Sequence, residues 1–381
     1  MPKTTHDGRG QETKWEIPSR IGVEYNCRQS QMDVQKIKAV NLAAEVAGHS
    51  EAFVKLLRNH PKAITGSSRV TDCLRKGYAP KGYGLADFTI VQRSGQFHLF
   101  HIPRVPGNSC IDIANEHWLG HAVSADLHTW TTCNPVLSTE PANYFESAHV
   151  WAPFVYQEAG RAFMFYTGLT ADPSQVLCMA ECMDDDMNVW RRSGTNPIIP
   201  PGGFDWHWKN EKNNVRHARD PHVVKTGDSY LLAYSAMHRN GCPAIGGMVS
   251  NDLRKWKDIG PILYRPMGRA EWMPESVNIQ RLPDGRWAMI PSQSPGLEYY
   301  ISDTPFHWHG LKVRQIRYED GANDLPAGLE VLLQKKNQWL VAYFEGDRMY
   351  AGVLSLDAHP WKLKRIKTRT GLVPWLGETA G

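Results

Sequence analysis

Arg219-Asp220-Pro221-His222-Val223-Val224 sets a carboxylate at the head of an apolar strand. A turn follows at Thr226-Gly227-Asp228, and Tyr230-Leu231-Leu232-Ala233-Tyr234 returns. Gly and Asp between two β-rich runs signal a hairpin. The same phrase recurs along the chain. Ala86-Asp87-Phe88-Thr89-Ile90-Val91 turns at Ser94-Gly95 and returns as Phe97-His98-Leu99-Phe100. Trp151-Ala152-Pro153-Phe154-Val155-Tyr156 turns near Gly160 and returns as Phe163-Met164-Phe165-Tyr166. Pro274-Glu275-Ser276-Val277-Asn278-Ile279 turns at Asp284-Gly285 and returns as Trp287-Ala288-Met289-Ile290. Overlaid, these phrases set Asp87, Ala152, Asp220 and Glu275 at one repeated place, the opening of the first strand.

A second phrase fixes the period. Each unit closes on an acidic residue followed by a tryptophan, at Trp130, Trp190, Trp256, Trp308 and Trp361. The intervals between these tryptophans are 60, 66, 52 and 53 residues. A repeat of that length with about four short strands is the signature of a propeller blade. The fifth unit opens at Gly328-Leu329-Glu330-Val331-Leu332-Leu333 and returns at Trp339-Leu340-Val341-Ala342-Tyr343-Phe344. The pattern predicts an all-β, five-bladed β-propeller over residues 66–381.

Residues 1–65 read differently. Val34, Ile37, Val40, Leu42, Ala43 and Val46 recur at helical spacing and stop at Gly48. Ser50 then opens a second apolar helix that ends at Pro61. A polar arm and a short helical pair are therefore expected before the propeller. The pair reads as a lid on the main domain or as an arm that makes a homodimer.

The chain has 381 residues, 41% of them apolar, and a net charge of +4. That mild excess, without long basic runs, points to neither a nucleic-acid groove nor a membrane surface. No apolar run is long enough to cross a bilayer, and the N-terminus lacks the apolar centre of a signal peptide. Seven cysteines form no paired framework, which suits reduced thiols in the cytoplasm. Fourteen Trp and fourteen Tyr suit both sheet packing and flat ligands such as sugar rings.

First strands of propeller blades line the central axis, so Asp87, Asp220 and Glu275 are expected to meet in one funnel. Crowded carboxyls repel and lose water, which separates an acid from a base. Glycosidic hydrolysis needs that division of labour. Around them, Arg219 is placed to fork onto a hydroxyl or a carboxylate. Trp151 and Trp272 are candidate stacking platforms, and His121, His149 and His217 candidate substrate contacts. No ligand cluster marks a metal, and no organic cofactor is implied.

The chain from about Gly84 to Trp361 resembles the five-bladed propeller glycoside hydrolases of families 32, 43 and 117. That group holds the invertases, the arabinanases and β-xylosidases, and the neoagarooligosaccharide hydrolases. The likeness is carried by Trp118-Leu119-Gly120-His121-Ala122-Val123-Ser124-Ala125-Asp126-Leu127, Trp151-Ala152-Pro153, Phe165-Tyr166-Thr167-Gly168 and Arg219-Asp220-Pro221. The resemblance implies Asp87 as base or nucleophile, Asp220 as transition-state stabiliser and Glu275 as general acid. It implies release of a terminal sugar, a furanoside or a relative of one, from an oligosaccharide or glycoside. In some members an ion occupies the central channel near a histidine. The alternatives are a non-catalytic sugar-binding propeller and a phosphorylase or transglycosidase on the same scaffold.

Overall fold

The computed structural model describes residues 68–107, 115–140, 143–170, 174–210, 213–264, 274–293, 296–322 and 326–377. The expected helical pair, its proposed role in a dimer and Trp272 lie outside them. Five antiparallel sheets follow one another along the chain. The first is β2 (Gly84–Arg93), β3 (Gln96–Arg104), β4 (Trp118–Ser124) and β5 (Trp130–Thr132), with β1 (Ser68–Val70) added outside β5 and β6 (Leu137–Ser138) beside β4. The second is β7 (His149–Glu158), β8 (Arg161–Leu169), β9 (Gln175–Cys182) and β10 (Trp190–Arg192). The third is β11 (Ala218–Thr226), β12 (Ser229–Met237), β13 (Pro243–Ser250) and β14 (Lys257–Tyr264). The fourth is β15 (Glu275–Arg281), β16 (Trp287–Gln293), β17 (Gly296–Ser302) and β18 (Arg314–Gln315). The fifth is β20 (Ala327–Lys335), β21 (Gln338–Glu345), β22 (Arg348–Ser355) and β23 (Lys362–Arg365), with β19 (Arg317–Tyr318) running parallel to β23.

The first strands touch in the ring order β2, β7, β11, β15, β20 and back to β2. That closed ring is a five-bladed β-propeller. It shuts where Tyr78, just after the short helix α1 (Cys73–Lys76), exchanges both backbone hydrogen bonds with Met349 of β22. Apolar residues of neighbouring blades interlock across each seam. Phe100 and Leu119 of blade one meet Val150, Met164 and Tyr166 of blade two. Phe163, Phe165 and Leu177 meet Val223, Leu232 and Tyr234 at the next seam.

The recurring acidic-then-Trp phrase has a physical basis. Asp126 Oδ1 accepts from the amides of His128 and Thr129, and Asp252 Oδ1 from those of Arg254 and Lys255. Such a side-chain turn tolerates left-handed backbone, here Leu127 at φ 56° and Leu253 at φ 61°. The following tryptophan tucks back inside: the Trp130 indole N–H donates to Leu127 O at 3.1 Å. In blade two the turn is capped by Asp184, which accepts from the amides of Asn188 and Val189.

Every first strand carries the same irregularity. The ladder jumps between Leu85 and Phe88, Trp151 and Phe154, Arg219 and His222, Glu275 and Asn278, and Ala327 and Glu330. In each case two residues oppose one on the partner strand, which is a β-bulge. The ladders correct the sequence overlay. Register equates Ala86, Ala152, Asp220, Ser276 and Gly328 as the first bulged residue. Asp87 is the second bulged residue of its blade, and Glu275 is the paired residue just before the bulge. The three carboxylates therefore occupy three successive positions of one repeated device.

Candidate active site

Bulges re-aim side chains, and these five aim theirs at the axis. Asp87, Pro153, Pro221, Val277 and Leu329, the second bulged residues, all line the axial cavity. The first bulged residue is left-handed in four blades: Ala152 at φ 45°, Asp220 at 57°, Ser276 at 44° and Gly328 at 54°. Non-glycine residues pay roughly 1–3 kcal/mol for such backbone, so packing and hydrogen bonds must hold them there. At the fifth blade only glycine fits, because a Cβ on Gly328 would stand 2.3 Å from the Phe344 ring.

Asp87 and Asp220 line this cavity, Glu275 joins them through Arg219, and two residues knit the three. Ser276 donates its Oγ to Asp87 Oδ1 at 2.9 Å and its backbone N–H to Asp220 Oδ2 at 2.9 Å. Arg219 donates Nη2 to Glu275 Oε1 at 2.6 Å, while its Nε lies 3.7 Å from Asp220 Oδ2. Ser235 Oγ donates to the same Asp220 oxygen at 3.2 Å. The Asp220 amide donates to Thr167 Oγ1 of blade two. In each carboxyl one oxygen is thus held by the protein. The other, Asp87 Oδ2, Asp220 Oδ1 and Glu275 Oε2, has no hydrogen-bond partner among the described residues.

Burial raises the Asp87 carboxyl above its ordinary value, and the Glu275 charge raises it further, against the Ser276 hydroxyl, Arg104 and Arg219. Burial lifts Asp220 to about 7; Arg219 opposes that, and Asp87 and Glu275 reinforce it. The acids therefore act on one another: Glu275 raises Asp87, and Asp87 and Glu275 both raise Asp220. Exposure separates the roles available: the Glu275 side chain is 43% exposed, that of Asp220 only 5%. A proton donor to a departing group must be reachable from outside, and Glu275 is open to that degree where Asp220 is not.

The remaining candidates divide. Trp151 heads the bulge of blade two and stacks on His149 at 5.3 Å, which stacks on His117 at 5.6 Å. The His149 Nδ1–H donates to Asn115 O at 3.0 Å. The indole N–H of Trp151 is buried without a partner among the described residues. His121 is placed elsewhere. It sits inside blade one, 1% exposed, between His98 (3.1 Å), Asn188 (3.0 Å) and the face of Phe100. It is absent from the cavity wall, so the structure does not bring it to the carboxylates. His217 lies against Arg219, not against the acids, with its Nδ1 3.0 Å from Arg219 Nη1.

Several neighbours were not singled out in the sequence. Ser276 hides inside the acid's own phrase and acts through both its hydroxyl and its amide. Arg104, at the end of β3, pairs with the buried Glu116 at 2.7 Å. Burial lifts Glu116 to about 7, Arg104 opposing and the Asp87 charge adding to it. Trp208 stacks on His217.

The axial cavity that Asp87 and Asp220 line has a volume of about 20 Å³, room for one or two waters. His222 and Glu330 line it at equivalent bulge positions. The His222 Nε2–H donates to Ile279 O, leaving Nδ1 buried and unpartnered. Among the described residues no group of three or more His, Cys, Asp or Glu is arranged to hold a metal ion.

Residues 87–344 match the glycosyl hydrolases family 32 N-terminal domain. Over 171 residues, 44% of this chain, the sequence is 25% identical to a probable sucrose-6-phosphate hydrolase of Psychromonas ingrahamii. The match spans 28% of that relative's length. Among solved structures, fructan 1-exohydrolase IIa of Cichorium intybus superposes with a TM-score of 0.60 at 16% identity, over 75% of this chain and 59% of that one. The sucrose-6-phosphate hydrolase of Lactobacillus gasseri gives a TM-score of 0.59 at 14% identity, over 89% of this chain and 68% of that one. At such identities these two structures speak for the fold.

Proposed function

Because the chain belongs to glycosyl hydrolase family 32, we propose that it is a glycoside hydrolase that removes a terminal sugar, a furanoside or a relative of one, from an oligosaccharide or glycoside. The observation that carries this reading is the knot of Asp87, Asp220 and Glu275 from three blades, each with one oxygen fixed and one left over. Glu275, the exposed member, protonates the leaving oxygen. Asp87 acts as base or nucleophile, its lone Oδ2 meeting a water or the anomeric carbon. Asp220 accepts sugar hydroxyls on Oδ1 and strengthens those bonds as positive charge grows on the ring. Arg219 keeps the cluster from carrying its full negative charge unpaired. Trp151 offers a ring face to the sugar, with His149 packed behind it.

The setting belongs to the same proposal. Cys73, Cys133, Cys178, Cys182 and Cys242 are free thiols, and no helix among the described residues is long and apolar enough to cross a membrane. The free thiols suit the reducing cytoplasm.

A panel of terminal furanosides and pyranosides, with sucrose and sucrose 6-phosphate included, tests the reading by product analysis. The expected result is one monosaccharide released from the non-reducing end of at least one member, independent of inorganic phosphate. Turnover that requires phosphate would make the protein a phosphorylase. Measurable affinity with no bond cleaved anywhere on the panel would make it a binding module.

A further inference from the structure

Arg219 reaches Glu275 with one arm, and its other terminal nitrogen is equally committed. Nη1 donates to His217 Nδ1 at 3.0 Å. An acceptor nitrogen must be unprotonated, so the imidazole is neutral and carries its proton on Nε2. Its surroundings enforce this. The ring lies flat against Trp208, centroids 5.5 Å apart and planes 8° from parallel. The Arg216 guanidinium stands 5.3 Å from the same indole. Burial holds the imidazole far below its ordinary range, and the charges of Arg219 and Arg216 push the same way. Trp208 is itself pinned: its amide donates to Met237 O at 2.9 Å, and its carbonyl accepts from the Arg216 amide. A short bridge between Lys209 and Val215 closes that loop.

A guanidinium is a rigid plane, so fixing two of its nitrogens fixes the third. Unclamped, the Arg219 fork would be free to rotate onto both oxygens of Glu275 as a bidentate pair. That arrangement would occupy Oε2 and stabilise the ionised form of the group proposed to give up a proton. We infer that His217, held face-on by Trp208, is a positioning residue: it keeps the Arg219 fork on one oxygen of Glu275 and leaves the other for proton transfer. The clamp stands on geometry alone, but its effect on rate rests on the glycosidase reading. His217 is thereby reassigned from substrate contact to support.

The test compares His217→Asn, whose side-chain oxygen can replace the Nδ1 acceptor, with His217→Leu, which cannot. Two substrates with the same sugar are used, one with an alkyl leaving group and one with a nitrophenyl group that departs without protonation. For His217→Leu, kcat on the alkyl glycoside should fall about tenfold to a hundredfold, with KM and the nitrophenyl rate little changed. His217→Asn should stay within a few-fold of wild type on both. Equal losses on both substrates, equal losses in both variants, or no loss in either would overturn the inference. If His217→Leu fails to fold by thermal melt, Trp208→Ala carries the same comparison. Imidazole ¹⁵N spectra of the wild-type protein separate the clamp from the chemistry. They should show a neutral Nε2–H ring through the range where histidines ordinarily charge; ordinary titration would sink the clamp even if the glycosidase reading holds. A protein that fails the panel while the ring stays neutral would sink the rate effect and leave the clamp.

Discussion

Asp87→Asn is expected to lower kcat by about 10⁴-fold or more, and Glu275→Gln by about 10²- to 10⁴-fold on substrates with poor leaving groups. The two losses differ because the chemistry differs. An amide at position 87 accepts the Ser276 hydroxyl as before, yet it cannot attack or take a proton. An amide at 275 retains the Arg219 contact but has no acidic proton, so a good leaving group should rescue much of the rate. Asp87→Asn should not weaken the fold. The Asp87 carboxyl sits above its ordinary titration range because the site is buried and already negative. Replacing it with a neutral group therefore relieves a cost at neutral pH. Steady-state rates and thermal melts on both variants check this. Rates within a few-fold of wild type in either would remove the residue from the mechanism.

Arg219→Met should do damage of a different kind, losing both activity and stability. Its guanidinium pairs with Glu275 and Asp220 and lowers the proton affinity of Asp87 and Asp220. Without it three carboxylates face one another, and Arg104 is left as the cation that lowers Asp87. Breaking a buried charge network in this way costs about 3–5 kcal/mol. The sign with pH follows from linkage. Arg219 depresses carboxylate pKa values in the folded state, so its contribution is fully present at high pH and fades as the acids protonate. The melting deficit of Arg219→Met should therefore be largest above about pH 8 and shrink toward about pH 5. The acidic limb of kcat/KM should move to higher pH, since Asp87 would hold its proton longer. Arg219→Lys keeps the charge but not the fork, and should recover more stability than rate. A deficit that does not change with pH would mean that Arg219 acts through packing alone.

The period of the fold was legible because its turn has a local cause. Asp126 and Asp252 cap their turns with their own side chains, so the acidic-then-Trp phrase is written into every blade that uses it. The three acids were legible for the same reason, since each sits within a few residues of a repeated strand opening. Their alignment was not. A bulge adds one residue to a strand without leaving a mark in composition, and matching acid to acid slid Asp87 and Glu275 by one position in opposite directions. Ser276, Arg104 and Glu116 escaped because they reach the cluster across blade seams or from the far end of a hairpin. Trp208 lies in a loop between blades, outside any periodic pattern. His121 was drawn in by a phrase on β4, a strand two places removed from the axis, where its partners are His98 and Phe100 of the same blade and Asn188 of the next. Chain order could not tell a first strand's side chain from a third strand's.

Whether a sugar sits on these three carboxyls decides the mechanism. The most direct measurement is a crystal structure of Asp87→Asn with an intact substrate drawn from the glycoside panel. The expected structure places the anomeric carbon of the terminal sugar beside residue 87 and the glycosidic oxygen about 3 Å from Glu275. The ring hydroxyls should rest on Asp220 Oδ1. A sugar bound away from the axial mouth, or at the mouth with its anomeric carbon turned from residue 87 and Glu275, would contradict it.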